Sequence, residues 1–394
     1  MASDPDDPFG KLPFFGDLAR AMSGQGPVNW DVARQVAFTS ATKGATSEPN
    51  VDPASRIALE RVFTEVDPHV RSLTGLSTGA AGRPPALLAV NRSTWAHHTL
   101  EAYRPIVAGL ADALASGGGR NESGRDDGDD PMASLLSHFS SMMAPAMLGM
   151  AVGTLVGQLA QRAFGQYDLP LPREPRGQLL VVPATIDAFA TDWSIELDHM
   201  RRWVAVHELV VHAVFSVDHV RSAVDGAVRK YVAGFRSDPA SIAERMAGIA
   251  ESGDDPSMAL QQLLSDPTLL LGAVRSEEQA ALAPALDAMV AALIGYVDRC
   301  VDTVAAAVVP SATAIGEAVR RRRIESGPHD RFVEQLLGLR LTRDQVLRGS
   351  DFVNGVIERA GNDGLARLFE APNSLPTPSE VDAPGLWLAR LGER

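Results

Sequence analysis

The chain has 394 residues, 45% hydrophobic and 22% charged, enough to bury a sizeable core in one large domain or two. Its formal net charge of −13 opposes binding to nucleic acid phosphates, and its single cysteine, Cys300, excludes an internal disulfide and any cysteine-based zinc cluster. Only 6% of residues are aromatic while alanine-rich stretches recur, which favours helices packed closely on small residues: a mainly α protein with at most a small strand element.

The N-terminal MASDPDDPFGKLPFF is acidic and broken by prolines, unlike a secretory signal, so a cytoplasmic location is expected. Helices are expected at 29–43, 53–73 and 92–115; in the second, Pro53 opens a run with apolar Ile57, Leu59, Val62 and Phe63. ASGGGRNESGRDDGDDP, 115–131, offers almost nothing to bury and reads as a flexible linker or loop, with trypsin sites at Arg120 and Arg125. It divides the chain into an N-terminal helical region, 1–114, and a helical core, 132–394. Residues 133–161 contain no Asp, Glu, Lys or Arg, and Gly149, Gly153 and Gly157 recur at the spacing that lets helices touch. Serines, His138 and Pro145 interrupt the first half, so a buried, glycine-grooved core helix is expected rather than a membrane span.

QLLVVP, 178–183, is the best strand candidate. A helix is expected from near Ser194, with Glu196 and Asp198 complementing its dipole, running on to Val232 with a break near Ser216 to Asp218. Further helices are expected at 239–251, 256–264, 277–308, 311–325, 329–338, 342–347 and 351–360. The basic cluster Arg320 to Arg323 reads as a solvated helix face. In the tail, 368–390, proline turns alternate with apolar anchors, and Leu386, Trp387 and Leu391 are expected to dock on the body.

WVAVHELVVHAVF, 203–215, holds the chemistry-bearing pattern. His207 and Glu208 stand as in the H-E-x-x-H zinc motif, in which two histidines four apart lie about 40° from each other on a helix and share one metal. Here the fourth position is Val211, and His212 comes one residue later, about 140° from His207. A π-bulge would narrow that angle. Glu208, His212 and His219 would instead share a face if the helix ran straight through them, and a carboxylate with two imidazoles is a plausible zinc set. The plainer alternative is an i, i+4 pair of Glu208 and His212 in the core, with His219 at a helix boundary.

GPVNWDVARQVA (26–37), LVGQLAQRAFGQYDLPLP (155–172), MRRWVAVHELVVHAVF (200–215) and FEAPNSLPTPSEVDAPGLWLARL (369–391) together resemble the zincin-like metallopeptidase type 2 family, common in actinobacteria. The resemblance covers nearly the whole chain. It implies a zincin-like multi-helix fold and a zinc-dependent metallohydrolase acting on peptide or protein. It puts His207 at the first ligand position, Glu208 at the general base and Val211 at the second histidine. Ile294, in ALIGYVDRCVD (292–302), stands where relatives carry an acidic residue followed by a helical Asp. Two functions follow as alternatives: a zinc hydrolase in which Glu208 helps deprotonate a metal-bound water, or a non-catalytic binding or scaffold protein on the same fold.

Overall fold

A computed structural model describes residues 26–79, 83–118, 131–174, 177–237, 273–274, 276–324 and 336–392. In chain order these form α1 (Trp30–Ala41), α2 (Pro53–Thr74), β1 (Ala86–Ala89), α3 (Arg92–Gly118), α4 (Pro131–Arg162), β2 (Gln178–Val181), α5 (Pro183–Asp192), α6 (Leu197–Ser216) and α7 (Asp218–Ala233). After β3 (Arg236–Ser237) and β4 (Ala273–Val274) come α8 (Glu277–Val308), α9 (Ala312–Ile324), α10 (Arg343–Ala360), α11 (Asp363–Ala366), a 3₁₀ turn (Arg367–Phe369), α12 (Pro378–Asp382) and α13 (Pro384–Gly392). The fold is mainly α, as expected. Side chains from Val28 to Trp387 share one hydrophobic core, so helices on both sides of residues 119–130 contribute to it.

The glycine groove of α4 is real, and α1 fills it. α1 buries only alanines, Ala33, Ala37 and Ala41, and the Asn29 side chain caps it by accepting from the Val32 amide at 3.1 Å. A Cβ at Gly153 would sit 2.5 Å from the Ala33 carbonyl oxygen. One at Gly149 or Gly157 would collide likewise with the Asn29 or Ala37 carbonyl. Two four-residue repeats, glycine on α4 and Asn29, Ala33 and Ala37 on α1, therefore bring backbones into contact. Among the described residues one helix, α8, is long and apolar enough to cross a membrane, and most of its apolar window is buried in the fold.

β2 begins where the strand was expected and pairs in parallel with β1, Ala86 opposite Gln178 and Ala89 opposite Val181. It ends at Val181 because Pro183 opens α5 as its first residue; neither α5 nor β1 was anticipated. The expected break after Ser216 is present, with Val217 extended between α6 and α7.

Several boundaries need correction. Residues 342–347 and 351–360 are not separate helices: α10 runs unbroken through Gly349, which is there for packing, since a Cβ on it would strike the Ala291 carbonyl of α8. α3 extends to Gly118, so the linker expected at 115–131 is shorter at that end, and residues 119–130 lie outside the described residues. So do the helices expected at 239–251 and 256–264 and most of 329–338. Trp387 docks fully buried, its indole donating to the Ser374 carbonyl at 2.7 Å, and Leu391, four residues on, packs partly buried against the core, but Leu386 points to solvent about 100° from Trp387. Ile57 is likewise exposed, opposite the Leu59, Val62 and Phe63 stripe. Arg320 to Arg323 is not simply a solvated face: Arg322 lies over the Phe164 ring, 4.3 Å from its centroid.

Candidate functional site

α6 is the central helix. The Glu196 side chain caps it, accepting from the His199 amide at 3.3 Å, and between Met200 and Phe215 only Arg201, Arg202 and His207 escape burial. Glu208, 1% exposed, therefore brings a carboxylate into the core, where it must be hydrogen bonded. The segment after α4 supplies the bond. Its Phe164 carbonyl accepts from the Val182 amide at 2.8 Å and its Gly165 carbonyl accepts from the Trp95 indole at 2.7 Å, pinning the segment to β2 and α3.

Held there, Tyr167 satisfies two buried groups of α6 at once. Its backbone N–H donates to Glu208 Oε2 at 3.1 Å, and its hydroxyl is hydrogen bonded to His212 Nδ1 at 2.9 Å. The other carboxylate oxygen, Glu208 Oε1, lies 3.4 Å from His207 Nδ1. Gly165 is needed for this approach: a Cβ there would stand 2.5 Å from Glu208 Cδ. Burial pushes the Tyr167 phenol well above its usual range and depresses His212 to about 4, so both are neutral near pH 7.

A cavity of about 130 Å³ opens on the His207 and Glu208 face. His207 stacks on Trp203, ring centroids 5.5 Å apart and 12° from parallel. Val211, one turn after His207, forms the next part of the wall, and α8 faces it with Leu293, Ile294, Val297 and Asp298. Arg162 and Asp168, paired at 3.2 Å, Arg322 of α9 and Thr342 add polar lining.

Of the four residues singled out in the sequence, the structure brings His207 and Glu208 together at the cavity. His212 does not line it but faces Tyr167. His219 lies beyond the Val217 break on α7, with its Nε2 buried and without a hydrogen-bond partner. α6 is α-helical throughout, with no π-bulge to swing His212 towards His207, and the break removes the shared face of Glu208, His212 and His219. Glu208 and His212 are not paired with each other either; Tyr167 stands between them. Tyr167 and Gly165 were missed as site residues although both lie in the AFGQYDLPLP run, because nothing local says that this loop returns to a helix some forty residues later.

A histidine followed by a glutamate on a buried helix, with a cavity on that face, is the framework of a zincin. The chain belongs to the zincin-like metallopeptidase family, whose sequence profile matches residues 28–388. Its fold is similar to a crystal structure from Chloroflexus aurantiacus described as a "putative hydrolase with a novel fold", at TM-score 0.58 and 20% identity over 93% of this chain and 99% of that one. No curated protein matches. The zinc that the family implies does not fit the side chains here. A zinc site takes at least three nitrogen, sulfur or oxygen ligands, yet Val211 and Ile294 present hydrocarbon beside His207 and Glu208. Among the described residues no three His, Cys, Asp or Glu side chains converge as a metal site.

Proposed function

We propose that this chain is a member of the zincin-like metallopeptidase family that lacks zinc-dependent peptidase activity, and that the cavity at the motif serves as a binding cavity. The observation that carries this reading is Val211, placed one turn after His207 on the cavity wall, where the motif requires the second histidine. Ile294, facing it from α8, supports the same reading. Without an electrophilic metal to lower the pKa of water, Glu208 has no activated nucleophile to serve. Its carboxylate is instead committed to the Tyr167 amide and the neighbouring imidazole.

The cavity favours a small apolar group, of about the size that fits an engineered benzene cavity, with a hydrogen-bond donor directed at the Glu208 and His207 end. An apolar peptide side chain meets that description, and the net charge of −13 supports a partner other than nucleic acid. Metal analysis and differential scanning calorimetry of untagged protein test the reading. Zinc should be well below one per chain, and saturating zinc should leave the melting temperature unchanged. One zinc per chain, lost on His207→Ala, would instead restore the family's hydrolase activity to this copy.

A further inference from the structure

A second cleft, of about 530 Å³, opens at the N-terminal end of α6, between Trp193–His199 and the start of α9. Three of its lining residues stand in series, an ion-pair contact followed by a hydrogen bond. Glu196 Oε2 is 3.1 Å from His199 Nε2, and His199 Nδ1 is 3.0 Å from Ser311 Oγ. We propose that Ser311, His199 and Glu196 form a metal-independent esterase site for small carboxylic esters, separate from the Glu208 cavity and independent of how that cavity is read.

Capping of α6 does not require this arrangement. Glu196 caps through the His199 backbone amide, which needs neither the imidazole nor Ser311. Ser311 comes from 112 residues further along the chain. At the capping position just before α9 its hydroxyl would ordinarily accept from a helix amide, and here it is hydrogen bonded to His199. The nearby carboxylate favours the tautomer with its proton on Nε2, which leaves Nδ1 as the acceptor for the Ser311 hydroxyl. The ring is used in the opposite sense to the serine protease arrangement, but the roles are the same.

The surroundings suit acyl transfer. Ser311 immediately precedes the thirteen-residue α9, and helix geometry leaves the Thr313 and Ala314 amides without intrahelical acceptors, so they can hold an oxyanion formed beside Ser311 Oγ. Trp193, 39% exposed, and the half-buried Ile195 supply apolar wall for the ester's hydrocarbon. Ser194 holds a left-handed φ of 52°, a strained conformation in the same wall. In the first step Ser311 Oγ attacks the ester carbonyl while His199 Nδ1 takes its proton, then returns it to the departing alcohol. In the second, water gives a proton to His199 and attacks the acyl-serine, and His199 returns that proton to Ser311 Oγ as the C–O bond to the serine breaks and the acid is released. Nothing is oxidised or reduced.

The test uses the full chain in EDTA, with a fluorophosphonate label and 4-nitrophenyl butyrate as substrate. The label should appear on Ser311 by peptide mass spectrometry. Turnover should fall on the order of 100-fold or more in Ser311→Ala and in His199→Gln. Glu196 is 60% exposed, so water screens its charge, and Glu196→Gln should lower kcat only several-fold with KM retained. Melting curves check that the variants are folded; were Ser311→Ala unfolded, labelling of the wild type would decide. Label at another serine, turnover that survives Ser311→Ala, or neither label nor turnover overturns the proposal.

Discussion

At the scale of single residues, His212 shows how a histidine beside a metal motif can belong to the core. Burial depresses its pKa to about 4, against about 6.5 in an unfolded chain, so the unfolded state takes up its proton first as pH falls. Stability from this residue is whole above pH 6.5 and is lost as pH drops from there towards 4. At about 1.4 kcal/mol per pH unit, the loss is on the order of 3 kcal/mol across the window. His212→Gln keeps a polar partner for the Tyr167 hydroxyl and removes the titration. Urea unfolding at pH 7 and pH 4.5 should show the wild type losing more stability than His212→Gln, and equal losses would mean that His212 titrates normally when folded. Tyr167→Phe removes the Nδ1 partner while leaving the backbone bond to Glu208. It should cost about 1–3 kcal/mol at pH 7 by the same measurement, the usual penalty for stranding a buried polar group.

Among whole elements, the α1 and α4 pair gives the sharpest test because its contact is backbone to backbone. Gly153→Ala puts a methyl group against the Ala33 carbonyl and should destabilise by roughly 1–3 kcal/mol, since neither helix can retreat without opening the alanine seam. Gly109→Ala, in α3 with nothing within 4 Å of the new Cβ, should instead stabilise by about 0.5–1 kcal/mol through helix propensity. Opposite signs in chemical denaturation identify the groove; two gains would dissolve it. This groove was legible in the sequence because Gly149, Gly153 and Gly157 repeat at helical spacing within an uncharged run. So was the break after Ser216. The unbroken α10 was not, because Gly349 looks like a helix breaker until Ala291 and Gly295 are seen on the facing helix. β1 and α5 were hidden for other reasons: β1 is a four-residue strand whose register is set by β2, and Pro183, which opens α5, reads in the sequence as the end of the strand candidate 178–183.

For the molecule as a whole, the cavity is assembled from five stretches: the segment after α4, the middle of α6, the middle of α8, the end of α9 and the chain leading into α10. Sequence spacing on α6 located His207, Glu208 and Val211, because helix geometry relates them directly. It could not show that Ile294 faces them across the cavity, and that juxtaposition came only with the fold. On the proposed reading that Val211 and Ile294 stand where zinc ligands would, both positions can be changed together. Val211→His places an imidazole about 40° from His207 and rebuilds H-E-x-x-H on a regular helix. Ile294→Glu then supplies a carboxylate from α8, beyond reach of any change confined to α6. A complete structural zinc site is worth on the order of 10 kcal/mol, and binding to the folded state raises the melting temperature in proportion to occupancy. The wild type should show no zinc-dependent rise, Val211→His a small one, and the double variant a larger one that His207→Ala abolishes. A rise in Val211→His that Ile294→Glu does not increase would mean that α8 contributes no ligand. A full-sized rise in the wild type would mean that Val211 and Ile294 never displaced the metal.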